Sequence, residues 1–261
     1  MEPIEHLAER AARAGVPPSR LLRSELGRHL LQIVGLTRGL VLQGGGALHH
    51  VYGSPRYSAD LDFVQAPDFD EVRFAAALER FRESVRAAWG SAEIEGPISK
   101  DKLHRHKVRV TTGLSSFLVL ALERYEIRVH RPVLRTLAGD DPATAPRIAV
   151  EAPAEILADK VAASLDRWRA RGSIKLRDLY DLDRLLDLEP PDRPLIEAKL
   201  ADYGLPFDNA ALAGIAASLG PLSADVLREQ LRGVLPEPDL ESLDLARILF
   251  RARTLLEDLA R

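Results

Sequence analysis

The segment spanning residues 40–64 constrains the fold most, because it joins an apolar run, three consecutive glycines and an alternating acidic stretch. In that stretch, Asp60-Leu61-Asp62-Phe63 alternates polar and apolar residues, which is the period of a half-buried β-strand. The period places Asp60 and Asp62 on one face and directs Leu61 and Phe63 into the core. Because two adjacent carboxylates repel each other, we interpret the pair as the site of a divalent cation. We predict Mg²⁺, which binds a few carboxylates together with water and substrate phosphates.

The glycines precede the acidic strand and indicate a phosphate-binding turn. Gly44, Gly45 and Gly46 follow the apolar run 40–42, which is predicted to form a strand. Glycine lets the backbone turn sharply and bring its N–H groups close to an anion. Residues 47–52 are predicted to form a short helix whose N-terminus faces that anion. Between glycines and aspartates, Arg56 and Ser58 would support either the aspartates or a phosphate; alternatively, they anchor the loop through hydrogen bonds.

These residues resemble the nucleotidyltransferases of the AbiEii/AbiGii toxin family and the related MenT toxins, within the polymerase-β-like nucleotidyltransferase superfamily. The family pattern is Gly-Gly-(Thr/Ser)-Ala-Leu, then Tyr-Gly, then Arg-x-Ser-x-Asp-Leu-Asp-Phe. The matching segments here are residues 44–48, Tyr52-Gly53 and residues 56–63. One position departs from the pattern: Gly46 replaces the usual hydroxyl residue, which weakens any role that depends on that hydroxyl.

Two further motifs extend the resemblance to most of residues 40–188. Residues 155–160 match a Glu-Ile-Leu-x-x-Lys helix, and residues 177–182 match Arg-Asp-Leu-Tyr-Asp-Leu. Lys160 would extend into the cleft to hold a triphosphate; the alternative is a surface lysine whose stem covers apolar residues. Asp178 and Asp181 are three residues apart and share a helix face. The resemblance implies that an acidic residue of this motif is needed for activity, and both are candidates.

Two metal ions need more than two aspartates, so a third carboxylate is expected on a neighbouring strand. Glu126 is the first candidate, because the family has an acidic residue between apolar ones several residues before a proline, here Pro132. Glu123 is the alternative. It would lie on the opposite strand face from Glu126 if the strand is continuous.

Composition limits the class of protein. The 261 residues are 46% hydrophobic, enough for a sizeable core, and cysteine is absent, which excludes disulfides and thiolate metal sites. No signal peptide or apolar membrane span is visible, so we expect a cytoplasmic protein with no membrane partner.

A net charge of −3 argues against a broad nucleic-acid-binding surface. An RNA partner would therefore need a local basic patch, for which residues 100–109 and 167–177 are candidates.

Strands interleaved with helices, followed by helices alone, predict an α+β chain. We expect a polymerase-β-like nucleotidyltransferase domain with a mixed sheet and two leading helices over residues 1–152. An all-helical domain that completes the active site is expected over residues 153–261. The predicted elements are helices at 4–14, 19–34, 47–52 and 68–89, strands at 102–110 and 124–130, and helices at 153–169, 175–188, 192–203, 208–218, 222–233 and 239–260.

The resemblance implies a Mg²⁺-dependent nucleotidyltransferase that acts as the toxin of a toxin–antitoxin or abortive-infection pair. It implies NTP as the donor, an RNA, specifically the acceptor end of tRNA, as the acceptor, and a cognate antitoxin as a protein partner. Two alternatives stay open. The acceptor could be a protein or a small molecule, or the chain could be a non-catalytic interaction module, which the loss of the hydroxyl at Gly46 would favour.

Overall fold

The computed structural model describes residues 2–112 and 115–261. The chain divides into two compact units. The first comprises Met1–Glu151 together with Gly233–Glu237, and the second comprises Ala152–Arg232 together with Pro238–Arg261.

A mixed β-sheet forms the framework of the first unit. In the described residues its elements are α1 (Ile4–Arg13), α2 (Pro18–Ile33), β1 (Leu40–Gln43), α3 (Gly44–His50), β2 (Asp60–Gln65), α4 (Glu71–Trp89), β3 (Glu93–Lys100), β4 (Leu103–Thr112), β5 (Ser115–Tyr125), β6 (Pro132–Arg135) and β7 (Ile148–Glu151). The strand order is β3-β4-β5-β2-β1-β7-β6. β2 pairs with β5, and β1 with β7, in parallel, whereas the other pairs are antiparallel. The predicted mixed sheet with helices is confirmed.

One face of this sheet carries the apolar core. Leu61 and Phe63 of β2 and Leu122 of β5 are at most 1% exposed. Helix α2 contacts β5 and helix α4 contacts β4, and they contribute fully buried side chains such as Leu26 and Phe81. Burial of these side chains is the main favourable term for the unit. The opposite face of the central strands keeps half-buried polar residues.

Helix α4 begins three residues later than predicted. Asp70 caps it by accepting a hydrogen bond from the backbone N–H of Arg73 at 3.0 Å, and Glu71 is its first residue. Asp68, the first residue of the predicted helix, instead forms an ion pair with Arg38 at 2.8 Å. The sequence offers two aspartates in this turn, and the backbone geometry selects the second.

The second unit is built from helices, as predicted. They are α5 (Pro153–Arg171), α6 (Arg177–Leu188), α7 (Arg193–Asp202), α8 (Asn209–Leu219), α9 (Ala224–Leu231), α10 (Glu237–Glu241, which begins at the end of the first unit) and α11 (Leu245–Leu259). The single helix predicted over 239–260 is wrong, because the helical conformation is interrupted before Asp244 and two helices form. Asp244 then caps α11 by accepting from the backbone N–H of Arg247 at 2.9 Å.

Three strands were not predicted, and one was misplaced. β3 is an exposed edge strand interrupted by Gly96-Pro97, and β6 and β7 have only four residues each, so none carries a clear alternating pattern. β5 is continuous to Tyr125 and ends there, so the strand predicted at 124–130 is wrong.

No single helix of the described chain is long and apolar enough to cross a membrane. Helices α8 and α9 reach that length and composition only as a pair, and the pair is bent by 98°.

Candidate functional site

Asp60 and Asp62 lie on the face of the sheet opposite the apolar core. Both belong to β2, in which Leu61 and Phe63 are buried and the two aspartates are half-buried. The predicted strand and its alternation are therefore confirmed. The carboxylates point to one side, because their positions differ by two residues.

Neighbouring strands continue this face in register with Asp62. Gln43 of β1 is its antiparallel partner, and Glu123 of β5 is its parallel partner. Arg105 of β4 pairs in turn with Glu123. Residues paired across a ladder point to the same side, so these four form a single row across the sheet, which we call the transverse row. Sequence reasoning missed Gln43 and placed Arg105 only in a candidate RNA-binding patch, because the alternation of residues 102–110 indicates a strand but not its neighbour.

Glu123 is held within the transverse row by two donors. Arg105 Nε donates to Glu123 Oε1 at 2.7 Å, and the Tyr125 hydroxyl donates to Oε2 at 2.6 Å. Burial, the hydrogen bond to Glu123 and the charge of Asp62 raise the pKa of Tyr125 above its ordinary value. The charges of Asp62 and Glu123 thus act on the same hydroxyl group.

Glu126 lies beyond the end of β5 and is exposed. Its Oε1 is 2.7 Å from His104 Nε2. The expectation that Glu126 sits on a strand is therefore wrong. The alternative, Glu123, is the glutamate that the register places beside Asp62.

The three glycines form the first turn of α3, directly after β1. They were expected to precede a helix at 47–52, but the helix already includes them. Gly44 has φ 65°, a conformation that other residues rarely adopt. A Cβ on Gly44 would lie 3.2 Å from Asp62 Oδ2, and one on Gly45 would lie 2.7 Å from Arg56 Nη2. Glycine is required here because the backbone passes close to a carboxylate and a guanidinium group.

Gly46, where the family usually has a hydroxyl residue, faces the core. A Cβ at this position would lie 2.9 Å from Leu61 Cδ2. Leu61 is itself buried, although its methyl end can shift. The space left by the missing side chain is therefore filled by Leu61.

Arg56 and Ser58 make the loop contacts expected of anchoring residues. Arg56 is only 4% exposed, and its Nη1 donates to the carbonyl of Tyr57 at 3.3 Å. The Ser58 hydroxyl donates to the carbonyl of Asp60 at 3.0 Å, at the start of β2. These bonds fix the loop next to the aspartates. A contact of either side chain with phosphate stays a prediction.

His49 of α3 secures the same loop, and His50 lies beside it. His49 Nδ1 donates to the carbonyl of Ser54 at 2.9 Å, so Nε2 accepts from the Ser24 hydroxyl at 2.6 Å. Burial lowers the pKa of His49 and lowers that of His50 well below its ordinary value. Both rings are therefore neutral near pH 7.

In the helical unit, Lys160 joins the two motif aspartates. Its Nζ lies 2.9 Å from Asp178 Oδ1 and 2.6 Å from Asp181 Oδ2. The side chains of Lys160, Asp178 and Asp181 are 14%, 8% and 0% exposed. Lys160 is therefore not a surface lysine with its amine in water. Asp178 and Asp181 share a helix face, as predicted.

The fit to a metal ion depends on the chemistry of the aspartate pair. Within residues 2–112 and 115–261, no group of three or more His, Asp or Glu side chains is arranged to hold a metal ion. Asp60 and Asp62 nevertheless suit Mg²⁺, which usually takes one or two carboxylates and fills its other positions with water and substrate phosphates. A fully protein-made cage is not required.

Comparisons with known proteins found a matching family model and similar solved structures. A family model described as "Nucleotidyl transferase AbiEii toxin, Type IV TA system" matches residues 28–253. No curated protein sequence matches the chain. Among solved structures, MenT4, a nucleotidyltransferase toxin from Mycobacterium tuberculosis H37Rv, is 20% identical with a TM-score of 0.57, over 100% of this chain and 98% of MenT4. JHP933 from Helicobacter pylori is 19% identical with a TM-score of 0.56, over 93% and 94% of the two chains. At these identities the structural likeness supports the fold.

Proposed function

Because the chain belongs to the AbiEii nucleotidyltransferase toxin family of type IV toxin–antitoxin systems, we propose that it is a Mg²⁺-dependent enzyme that transfers nucleotides from NTP to RNA, with the acceptor end of tRNA as the preferred acceptor. The observation that carries the proposal is the position of Asp62 beside the glycine turn. Its Oδ2 lies 3.2 Å from the point where a Gly44 side chain would begin. A phosphate bound to the glycine backbone would therefore meet a carboxylate-bound cation.

The reaction needs charge neutralisation and in-line geometry more than covalent help from the protein. A hydroxyl oxygen of the RNA end forms a bond to the α-phosphorus, and the bond to the leaving pyrophosphate breaks. When bound, Mg²⁺ would supply charge neutralisation at the attacking and leaving oxygens. Asp60 and Asp62 are assigned to hold it.

The protein's own groups are assigned to binding and orientation. The N–H groups of Gly44, Gly45 and Gly46 and the cation of Arg56 are assigned to phosphate. Ser58 is assigned to holding the start of β2. Lys160 is assigned to the nucleotide phosphates, and Asp178 and Asp181 to orienting its amine.

For the third carboxylate, the register favours Glu123 over Glu126, because Glu123 is the partner of Asp62. The cognate antitoxin belongs to the same proposal, since the family consists of toxins of toxin–antitoxin systems.

Incubating the purified chain with each labelled NTP, Mg²⁺ and total RNA tests this function. We expect label in the tRNA fraction, and at least about a 100-fold loss with Asp62→Asn. Asp68→Asn, an exposed aspartate of the same unit, is the matched control and should keep full activity. Equal labelling by the Asp62 variant and the unsubstituted chain would overturn the proposed role of Asp62. Label only in protein would overturn the assignment of RNA as the acceptor.

A further inference from the structure

A carboxylate whose two oxygens are both bonded to protein donors lies next to the aspartate pair. Glu123 of β5 is the ladder partner of Asp62 in β2. Its Oε1 lies 2.7 Å from Arg105 Nε and 2.5 Å from Arg105 Nη2. Its Oε2 accepts from the Tyr125 hydroxyl at 2.6 Å. The negative charge beside Asp62 is therefore already matched by a guanidinium group of the protein.

These bonds limit what else Glu123 can bind. Each carboxylate oxygen offers about two lone-pair directions. The two nitrogens of Arg105 take both directions of Oε1, and the Tyr125 hydroxyl takes one of the two at Oε2. A divalent ion would find at most one direction left, and it would lie close to a guanidinium group of like charge. In this arrangement Glu123 is a poor metal ligand.

Strand pairing holds Arg105 in this position. β4 and β5 pair so that Arg105 and Glu123 are direct antiparallel partners. The side chain of Glu123 is 12% exposed and that of Arg105 is 43% exposed. Because Glu123 is largely withdrawn from water, its charge depends on a nearby cation. A guanidinium group is always charged and its fork of N–H groups matches a carboxylate, so Arg105 meets this need without a metal ion.

We propose that Arg105 takes the place of a second metal ion beside Glu123, so that the protein itself binds one divalent cation, at Asp60 and Asp62. The assignment of the aspartates to that cation rests on the proposed function. Arg105 is then a positioning residue, because it neutralises Glu123 and keeps this carboxylate from ligating a metal ion. The sequence predicts a third carboxylate for two ions, since it shows the glutamate but not the arginine that pairs with it.

Counting the Mn²⁺ ions bound by the full chain without nucleotide tests this inference, since Mn²⁺ takes the same oxygen ligands as Mg²⁺. Calorimetric titration should give one Asp62-dependent ion for the unsubstituted protein. It should give two for Arg105→Gln, because Glu123 loses its fixed cation in that variant. Arg105→Lys keeps a positive charge and should bind one ion.

Arg109→Gln is the matched control for the loss of charge. Arg109 lies on the same face of β4, its side chain is 41% exposed, and it pairs with Glu95 at 2.9 Å. Because its charge is paired with a different carboxylate and is well exposed to solvent, Arg109→Gln should bind one ion with an affinity within about twofold of the unsubstituted protein. A second ion in Arg109→Gln would show that any lost charge on this face has the effect, and it would overturn the inference.

The double variant Arg105→Gln/Glu123→Gln separates a neutralised carboxylate from a metal ligand. It removes both charges of the pair, so it should bind one ion with an affinity within about threefold of the unsubstituted protein. If Glu123 ligated the first ion, the double variant would bind it at least about tenfold more weakly. That result would overturn the inference, as would two ions in the unsubstituted protein or one ion in Arg105→Gln.

Thermal unfolding reports whether Arg105→Gln is folded and gives a second readout. Without metal, its Tm should be lower than that of the unsubstituted protein, because Glu123 has lost its cation. Saturating Mn²⁺ should raise the Tm of Arg105→Gln by more than that of the unsubstituted protein, since the folded variant binds an additional ion. An equal rise would contradict the inference. Should Arg105→Gln fail to fold, the ion counts of the unsubstituted protein and of the double variant decide.

This inference and the proposed function fail separately. Nucleotide transfer by an unsubstituted protein that binds two Mn²⁺ ions would contradict the inference alone. The expected ion counts without transfer from any NTP would contradict the proposed function alone. No Mn²⁺ bound by the unsubstituted protein would contradict the assignment of Asp60 and Asp62, on which both depend.

Discussion

Asp62 of β2 and Glu123 of β5 are direct partners in the parallel ladder of the central sheet. Their side chains point to the same face, and Arg105 and Tyr125 hold the glutamate there. The second acidic strand therefore presents its carboxylate beside the aspartates, with a guanidinium group balancing the added charge. This relationship favours Glu123 over Glu126 as the third carboxylate of the proposed site.

Substituting the two glutamates should separate their roles. We expect Glu123→Gln to lower nucleotide transfer at least about tenfold, because it removes a negative charge next to Asp62 and leaves Arg105 without its carboxylate partner. Glu126→Gln, whose side chain is exposed and bonded to His104, should keep transfer within about twofold. Initial rates with labelled NTP measure both. The reverse order of effects would favour Glu126 as the third carboxylate.

Gly45→Ala should displace Arg56. The added Cβ would lie 2.7 Å from Arg56 Nη2 and 3.1 Å from Ser58 Oγ, and Arg56 is buried. We expect at least about a tenfold loss of transfer and a cost of about 1–3 kcal/mol in the free energy of unfolding.

Gly46→Ala provides the comparison for this glycine, because the atom nearest to its Cβ would be the methyl end of Leu61 at 2.9 Å, followed by the carbonyl oxygen of Asp60 at 3.4 Å. Its effect on transfer should be smaller. Activity lost equally in both variants would show that the close approach to Arg56 is not what requires glycine at position 45.

Lys160→Met should reduce both stability and transfer. The substitution removes the amine that neutralises Asp181, whose side chain is 0% exposed, and breaking a buried pair in this way typically costs about 3–5 kcal/mol. Urea unfolding measures the loss. In the double variant Lys160→Met/Asp181→Leu, most of the stability should return while transfer stays absent. Recovery of transfer in the double variant would contradict the assignment of Lys160 to the nucleotide.

The folded chain should lose stability in mild acid through His106. Burial and the charge of Arg124 lower the pKa of His106 from 6.5 to about 4. Between these pH values the unfolded state binds the proton and the folded state does not, so the free energy of unfolding falls as the pH falls. The contribution is roughly 2–3 kcal/mol between pH 7 and pH 4.5.

Urea unfolding at pH 7 and pH 4.5 checks this contribution. His106→Leu should show a smaller drop than the unsubstituted chain, whereas His104→Gln, on the same strand but bonded to the exposed Glu126, should keep the full drop. An identical drop in all three proteins would rule out His106 as the source.

Lys199 should matter for stability because its charged side chain is 0% exposed and paired. Its Nζ lies 3.0 Å from Glu155 Oε1 and 3.2 Å from Asp159 Oδ1, both on α5. Lys199→Met would leave these buried carboxylates without that cation, and we expect a loss of about 3–5 kcal/mol in urea unfolding. Arg193→Gln, which breaks the exposed pair with Glu197 on α7, the helix of Lys199, should cost less than about 1 kcal/mol in the free energy of unfolding. Equal costs would contradict the importance of burial here.

The sequence by itself determined the local features of this protein. The alternation of residues 60–63 established a strand with two carboxylates on one face, because side-chain direction in a strand depends only on sequence spacing. Asp178 and Asp181 were placed on one helix face for the same reason. The motifs also identified the family, since they combine glycines, aspartates and a lysine in a fixed order.

Only the tertiary structure decided which distant residues meet. Glu123 rather than Glu126 lies beside Asp62, and Arg105 pairs with Glu123. In the helical unit, Lys199 rather than solvent pairs with Glu155. Strand register and helix packing create these contacts, and a strand shifted by one residue would present the opposite set of side chains. No local sequence pattern specifies the strand register or the helix packing, because both depend on burying the apolar sides of all the elements together.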